Sequence, residues 1–489
     1  MTKRTWASFS APFILLVALA GGGCSVNPAT GESSFTGFMT LDEEKRVGRE
    51  EHPKILQQFG GAYDDPALRR YVTGIGKNLA ARSELPNLKF TFTILNSEQV
   101  NAFALPGGYV YVTRGLLALA GSEAELAGVM AHEIGHVTAR HSARRYSRSV
   151  AFGLGAAVLG AVTGSRAAND LARLGSGLYL KSYSRSQEFE ADSLGVRYLS
   201  RSAYHTDAMA TFLTTMQGHS KFQSRLVGAK ARKAPSDLFS THPRTLDRVR
   251  RAVAEARLKP VANARRGRLD YLEKINGMLY GSDPKEGFVR GRAFIHPGFR
   301  IRFEVPKGFR LFNGRTQVIA KDPGGAVIVF DMAKEKYAGN LRGYLTGNWG
   351  KQLDLSRVER IDVNGMEGAT GTTSIRRQNG TFDLRLVAAR RSPERIFRLA
   401  FLTPPGQTGR LAQGLRHTTY SLKTLSRAEA GRQKAFRLRL KAVGKGDTVA
   451  SLAARMPFAD LREARFRALN GLSATQRLRP GQLVKIVSE

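Results

Sequence analysis

The stretch "VMAHEIGHVTARH" runs from Val129 to His141 and decides how the chain is read. It sets His132, Glu133 and His136 in the order H-E-x-x-H. On an α-helix, residues four apart share one face, so both imidazoles can reach a single metal ion. Glu133 points in a neighbouring direction, where its carboxylate can hold and deprotonate a water molecule. Val129, Ile134 and Val137 give the same helix an apolar side to bury. The competing reading is a core helix with polar histidines facing a groove. A catalytic zinc needs three protein ligands and one open position.

Working outward, "SEAE" opens a helix at Ser122, with Glu125 completing a capping box, and the helix carries the motif to about Arg140. Upstream, "LKFTFTILN" (Leu88 to Asn96) alternates as a strand, and "AFALPGGYVYVTRGLL" reads as a hairpin turning at Pro-Gly-Gly. Downstream, "YSRSQEFEADSLG" predicts a second helix over about Ser184 to Ser200, and helical sequence continues to about Arg257. Glu188 and Asp192 share a face of that second helix. Glu188 can serve as the third ligand, and Asp192 can accept the N–H of a ligand histidine. On spacing alone Glu190 competes with Glu188, but it lies on a different face from Asp192.

"HEIGHVTARH" together with "SRSQEFEAD" resembles the M48 family of zinc metallopeptidases, of the Ste24/HtpX-like gluzincin type. That family's H-E-x-x-H is followed by E-x-x-A-D, matched here by Glu188, Ala191 and Asp192. The resemblance covers about residues 40–257. It implies a mainly α-helical zincin-type domain with a small edge sheet. It further implies one Zn²⁺ per chain held by His132, His136 and Glu188, with Glu133 as general base. The strand "NAFALPGG", with Asn101, Ala102 and Phe103, would hold an extended peptide at the cleft edge. "STHPRTLDR" (Ser240 to Arg248) is also family-like. There Arg248 is expected to stabilise the oxyanion, and His242 to occupy or gate the fourth position on the metal. His141 is expected to support the site rather than bind the ion. His52, His205, His219, His296 and His417 have no motif around them.

Beyond about residue 260 the pattern changes to alternating segments such as "FRIRFEVPKGFRLF" and "FDLRLVAARR", separated by Gly, Asn and Pro. Residues 285–425 read as a separate α+β domain whose role the sequence does not name. A polar linker is expected over 426–435. The end of the chain, with "GKGDTVASLAAR", "ALNGL" and "RLRPGQLVKIV", resembles a LysM domain over about 436–487. That implies a small βααβ module, placed at 436–489, that binds peptidoglycan-type glycans. The fold class is thus multidomain: a peptidase domain over 41–260, the α+β domain, and the LysM-like module.

The N-terminus reads as an export signal over residues 1–24: Lys3 and Arg4, the apolar run Ala11 to Ala20, then "GGGCS". Cys24, the single cysteine, stands at a candidate lipidation site, although Gly21 replaces the usual aliphatic residue. Residues 25–40, rich in Gly, Ser and Thr, are expected to form a tether. Val150 to Val162 is apolar but too short to span a bilayer; it reads as a buried segment or a membrane-touching loop. The formal charge is +36. It suits anionic surfaces, but no basic run carries interleaved aromatics, which argues against nucleic acid. The expectation is a zinc endopeptidase facing the periplasm, anchored to the outer membrane. Its substrates would be misfolded or misassembled envelope proteins. The alternatives are a chaperone-like assembly factor with a latched site, or a peptidoglycan-bound scaffold with a vestigial one.

Overall fold

The computed structural model describes residues 24–150, 182–227, 242, 246–258, 260–314, 316–377 and 380–489. The export signal up to residue 23 and nearly all of the apolar segment after Val150 lie outside the described residues. Among the described residues no helix is long and apolar enough to cross a membrane.

The N-terminal half is built on helices. Leu41–Gln58 starts at Thr40, whose side chain accepts from Glu43 N while Glu43 caps the Thr40 N–H in return. Pro66–Ala80 starts with Pro at its first position after Asp65, where the missing N–H costs nothing. Three short strands follow in the order Thr91–Leu95, Tyr109–Thr113, Ala102–Leu105. The outer pair is the expected hairpin, paired Ala102 to Val112 through Leu105 to Tyr109. Gly107 and Gly108 both take positive φ in its turn. That turn lies against the first helix at Gly48, where a Cβ would meet Pro106 O at 2.3 Å. Ala102–Leu105 is left as an edge strand and packs against the motif helix.

The motif helix spans Glu123–Thr138. Ser122 caps it by accepting from Glu125 N, but Glu125 turns its carboxylate to Gly121 N rather than completing the box. Every residue of this helix except Glu125 is buried, because helices pack around it. Arg185–Arg201, begun by a full capping box of Ser184 and Gln187, crosses it in the most extensive helix pairing of the molecule. Ala208–Val227 and Leu246–Leu258 complete this half.

Residues 25–40 differ from the expected tether. Cys24–Val26 pairs with Ser33–Phe35 as a small hairpin, and Asn27, Ala29, Thr36 and Met39 are buried against the helices. Turn-forming residues serve a packed arm as well as a loose one.

The middle of the chain holds two antiparallel sheets. The larger has seven strands, with a meander from Ser356–Val363 to Arg395–Thr403 continued by Val327–Met332, Val318–Lys321 and Arg310–Asn313. Its inner face buries Phe330, Phe397, Leu399 and Phe401 under the helix Thr408–Ser421 and the smaller sheet, which includes Ile301–Glu304. The stretch read as a polar linker contains a short helix, Arg427–Gly431, capped by Ser426 and Glu429.

The last segment runs strand Arg437–Ala442, helices Val449–Ala454 and Arg462–Leu469, and strand Leu483–Ser488. Thr448 is the cap of its first helix. The segment is not set apart. Phe436, Leu438, Leu452, Phe466, Val484 and Val487 share one core with the N-terminal helices. Lys485, 1 % exposed, donates to Ala118 O, Leu119 O and Ala120 O at 2.7, 3.0 and 2.8 Å. Those carbonyls end the helix Arg114–Leu119, just before the motif helix begins. A cation there complements the helix C-terminus.

Candidate metal centre

The motif helix presents His132 and His136 to the carboxylate helix, and Glu188 meets them from the other side. His132, His136, Glu188 and His242 each offer one ligand atom, all within 4.8 Å of one another and all buried. His132 Nε2 and His136 Nε2 are 3.0 Å apart. Glu188 Oε2 lies 3.7 Å from His132 Nε2, and Glu188 Oε1 lies 3.6 Å from His136 Nε2. His242 Nδ1 lies 3.2 Å from His132 Nε2 and 2.9 Å from Glu188 Oε1. A tetrahedral zinc with nitrogen and oxygen ligands needs its ligand atoms about 3.3–3.6 Å apart. The set therefore fits such an ion in size and in chemistry. Three imidazole nitrogens and a carboxylate oxygen converge there.

Glu133 is fully buried, and both its carboxylate oxygens lack a hydrogen-bond partner among the described residues. His242 Nε2 lies 3.4 Å from Glu133 Oε1. Burial pushes the Glu133 carboxyl up, against the pull of His242 and His132. An unpaired buried carboxylate is costly for a fold and marks a working site. Burial, with His132 next to it, holds the His136 ring well below the ordinary imidazole value. The neutral ring is the form that binds metal.

A buried frame holds these groups. Asp192 Oδ1 lies 3.0 Å from His132 Nδ1. Arg248 grips Asp192 with Nε and Nη2, both at 2.7 Å, and reaches Glu188 Oε2 with Nη1 at 2.5 Å. Burial raises the Asp192 carboxyl, but the Arg248 fork and His132 bring it down to about 2. Nε, Nη1 and Nη2 of Arg248 each reach a carboxylate, so this guanidinium also holds Asp192 and Glu188 in place. Glu190 is away from the cluster, bonded to His141 and Arg144, whereas Glu188 lies within it. Tyr183 had no signal in the sequence. Its ring stacks on His136 at 3.9 Å between centroids, with Arg145 over the Tyr183 ring.

Asn101 is buried next to the edge strand, with Oδ1 unpartnered. Ala104 and Leu105 share a crevice with His136 and Tyr183. His52 bonds Tyr111 and His219 bonds Gln223, both apart from the cluster. Cys24 lies in the first strand of the N-terminal hairpin.

Residues 66–256 match the Peptidase family M48 model, and residues 442–487 match the LysM domain model. The chain is 30% identical over 260 residues to a beta-barrel assembly-enhancing protease of Yersinia pestis, covering 50% of each. It is 30% identical over 221 residues to the Escherichia coli protein of that name, covering 42% of each. It is also 29% identical over 220 residues to the mitochondrial metalloendopeptidase OMA1 of Schizosaccharomyces pombe, covering 44% of this chain and 61% of that one. The chain thus spans about half the length of the bacterial relatives it matches. The helical H-E-x-x-H and E-x-x-A-D elements that meet in one buried cluster thus lie within the residues that match the M48 peptidase model, and the final strand–helix–helix–strand segment lies within those that match the LysM model.

Proposed function

We propose that this chain is a zinc-dependent endopeptidase of the bacterial cell envelope, acting on misfolded or misassembled envelope proteins. The observation that carries the reading is Glu133: a buried carboxylate with two bare oxygens beside a ligand set of zinc dimensions. His132, His136 and Glu188 would hold the ion. When bound, zinc polarises a carbonyl and makes water nucleophilic near neutral pH. Glu133 takes the proton of the attacking water on a carboxylate oxygen and returns it to the leaving amine. Asp192 and Arg248 keep His132 and Glu188 in place. The edge strand, with Asn101, Ala102 and Phe103, accepts an extended substrate by main-chain pairing.

The relatives' names, a beta-barrel assembly-enhancing protease and a metalloendopeptidase, support both the chemistry and an envelope setting. The LysM domain supports attachment to peptidoglycan glycan. Acylation at Cys24 would tether the chain to the outer membrane. The test is cleavage of unfolded casein. A chelator should abolish it, and about one zinc per chain should restore it. Cleavage that survives complete removal of metal would refute the reading.

A second reading is favoured by His242, whose Nδ1 occupies the fourth corner of the ligand set. In that state the site is latched, and His242→Ala should cleave casein faster than wild type. Equal or lower cleavage at equal zinc content would count against a latch.

A further inference from the structure

The two ligand histidines are oriented by separate networks. His132 turns its Nδ1 to Asp192, which Arg248 grips in turn. His136 turns its Nδ1 away from the cluster, to His141 Nδ1 at 2.7 Å. His141 Nε2 then lies 3.0 Å from Glu190 Oε2. The other oxygen, Glu190 Oε1, accepts from Asn27 Nδ2 at 2.6 Å. Arg144 donates to both oxygens of Glu190, at 3.1 and 3.3 Å. His136, His141 and Asn27 are all at most 2 % exposed.

The proton positions follow from donor and acceptor capacity. A carboxylate only accepts, so His141 carries its proton on Nε2. Its Nδ1 is then an acceptor, and His136 must donate from Nδ1. That leaves the His136 Nε2 lone pair bare and aimed at the ligand set. The chain of contacts therefore selects the tautomer of His136 that can bind a metal.

Asn27 belongs to the N-terminal arm, and it is fixed there. Its Oδ1 accepts from Ala29 N, and its backbone closes a turn with Gly31 and Glu32. The arm is held to the helices at other points: Arg197 reaches Ala29 O, Arg140 reaches Met39 O, and Phe38 N donates to Ser147 Oγ. We infer that the N-terminal arm is a working part of the metal centre: Asn27, through Glu190 and His141, positions His136 for metal. This rests on the zinc reading above.

The experiment measures zinc affinity of the full chain by competition with a chromophoric chelator. Variants are Asn27→Ala, Glu190→Ala, His141→Phe and the double variant Asn27→Ala/His141→Phe. Each is also checked for thermal melting in the metal-free form. Removing such an outer partner should weaken zinc by about 10–100-fold for His141→Phe and Glu190→Ala, and by less for Asn27→Ala. Asn27→Ala is the mildest truncation and keeps the measurement open should a ligand-side variant fold poorly. The decisive readout is the cycle: once His141 is replaced, losing Asn27 should cost no further affinity. Unchanged zinc affinity in the single variants, or losses that simply add in the double variant, would overturn the relay while leaving the zinc reading intact. A wild-type chain that holds no zinc would overturn both.

Discussion

Around Lys485 and around His132 the chain buries charge in two different ways. The Lys485 ammonium has three donors and meets three carbonyls at the end of Arg114–Leu119. Its own backbone is pinned by Asn470, which accepts from Lys485 N and donates to Lys485 O. Nothing there is left over for a ligand. Around His132 the outer side is tied by ion pairs, where Arg248 grips Asp192 and Glu188. On its inner side Glu133 is bare and imidazole nitrogens face one another. The first arrangement joins the segment that matches the LysM model to the helices that match the peptidase model. The second leaves buried polar atoms without hydrogen-bond partners among the described residues, the pattern expected of a functional site.

The comparison can be broken at its strongest point first. Arg248→Ala should leave Asp192 and Glu188 as uncompensated buried carboxylates and lower the stability of the metal-free chain by about 3–5 kcal/mol. Chemical denaturation checks this; a loss under about 1 kcal/mol would mean that the frame is not satisfied by Arg248. Lys485→Met should strand three carbonyls and cost about 1–3 kcal/mol. It should act on both domains together, because they share one core. Separate melting of an unperturbed peptidase domain would contradict a common core.

A pH series sharpens the same site. Burial pulls the Lys485 ammonium down to about 7 from its ordinary 10.5, with Glu125 opposing and Arg268 adding to the pull. Between those values the unfolded chain keeps the proton that the folded chain has released. Stability therefore rises with pH in this window, and Lys485→Met should lack that share of the rise. The difference between wild type and variant, followed from pH 7 to 9.5, should widen; a flat difference would place the proton elsewhere. The smallest effect is expected at Thr448, the cap of the first LysM helix, where Thr448→Ala should cost about 1 kcal/mol and leave casein cleavage unchanged.

What was legible in the sequence was local. His132 with His136, and Glu188 with Asp192, are read from a helical period, and Ser122 from capping chemistry. These signals need only neighbours along the chain. The relay from Asn27 through Glu190 to His141 joins residues more than a hundred positions apart, and no period reports it. Lys485 looks like any basic residue on an alternating strand; only the carbonyls of a distant helix make it a dock. The arm over 25–40 was read as loose because Gly, Pro and Ser suit a tight hairpin as well as a tether. Arg248 was placed near the site by the resemblance, but its two carboxylate partners emerge only from the packing.

The most direct test of the account is the comparison of wild type with Glu133→Gln, measured for zinc content and for casein cleavage in the same preparation. The account predicts equal zinc in the two and a loss of cleavage of about 10²–10⁴-fold in the variant. Undiminished cleavage by Glu133→Gln at equal zinc would contradict it, because the bare carboxylate would then have no part in the chemistry.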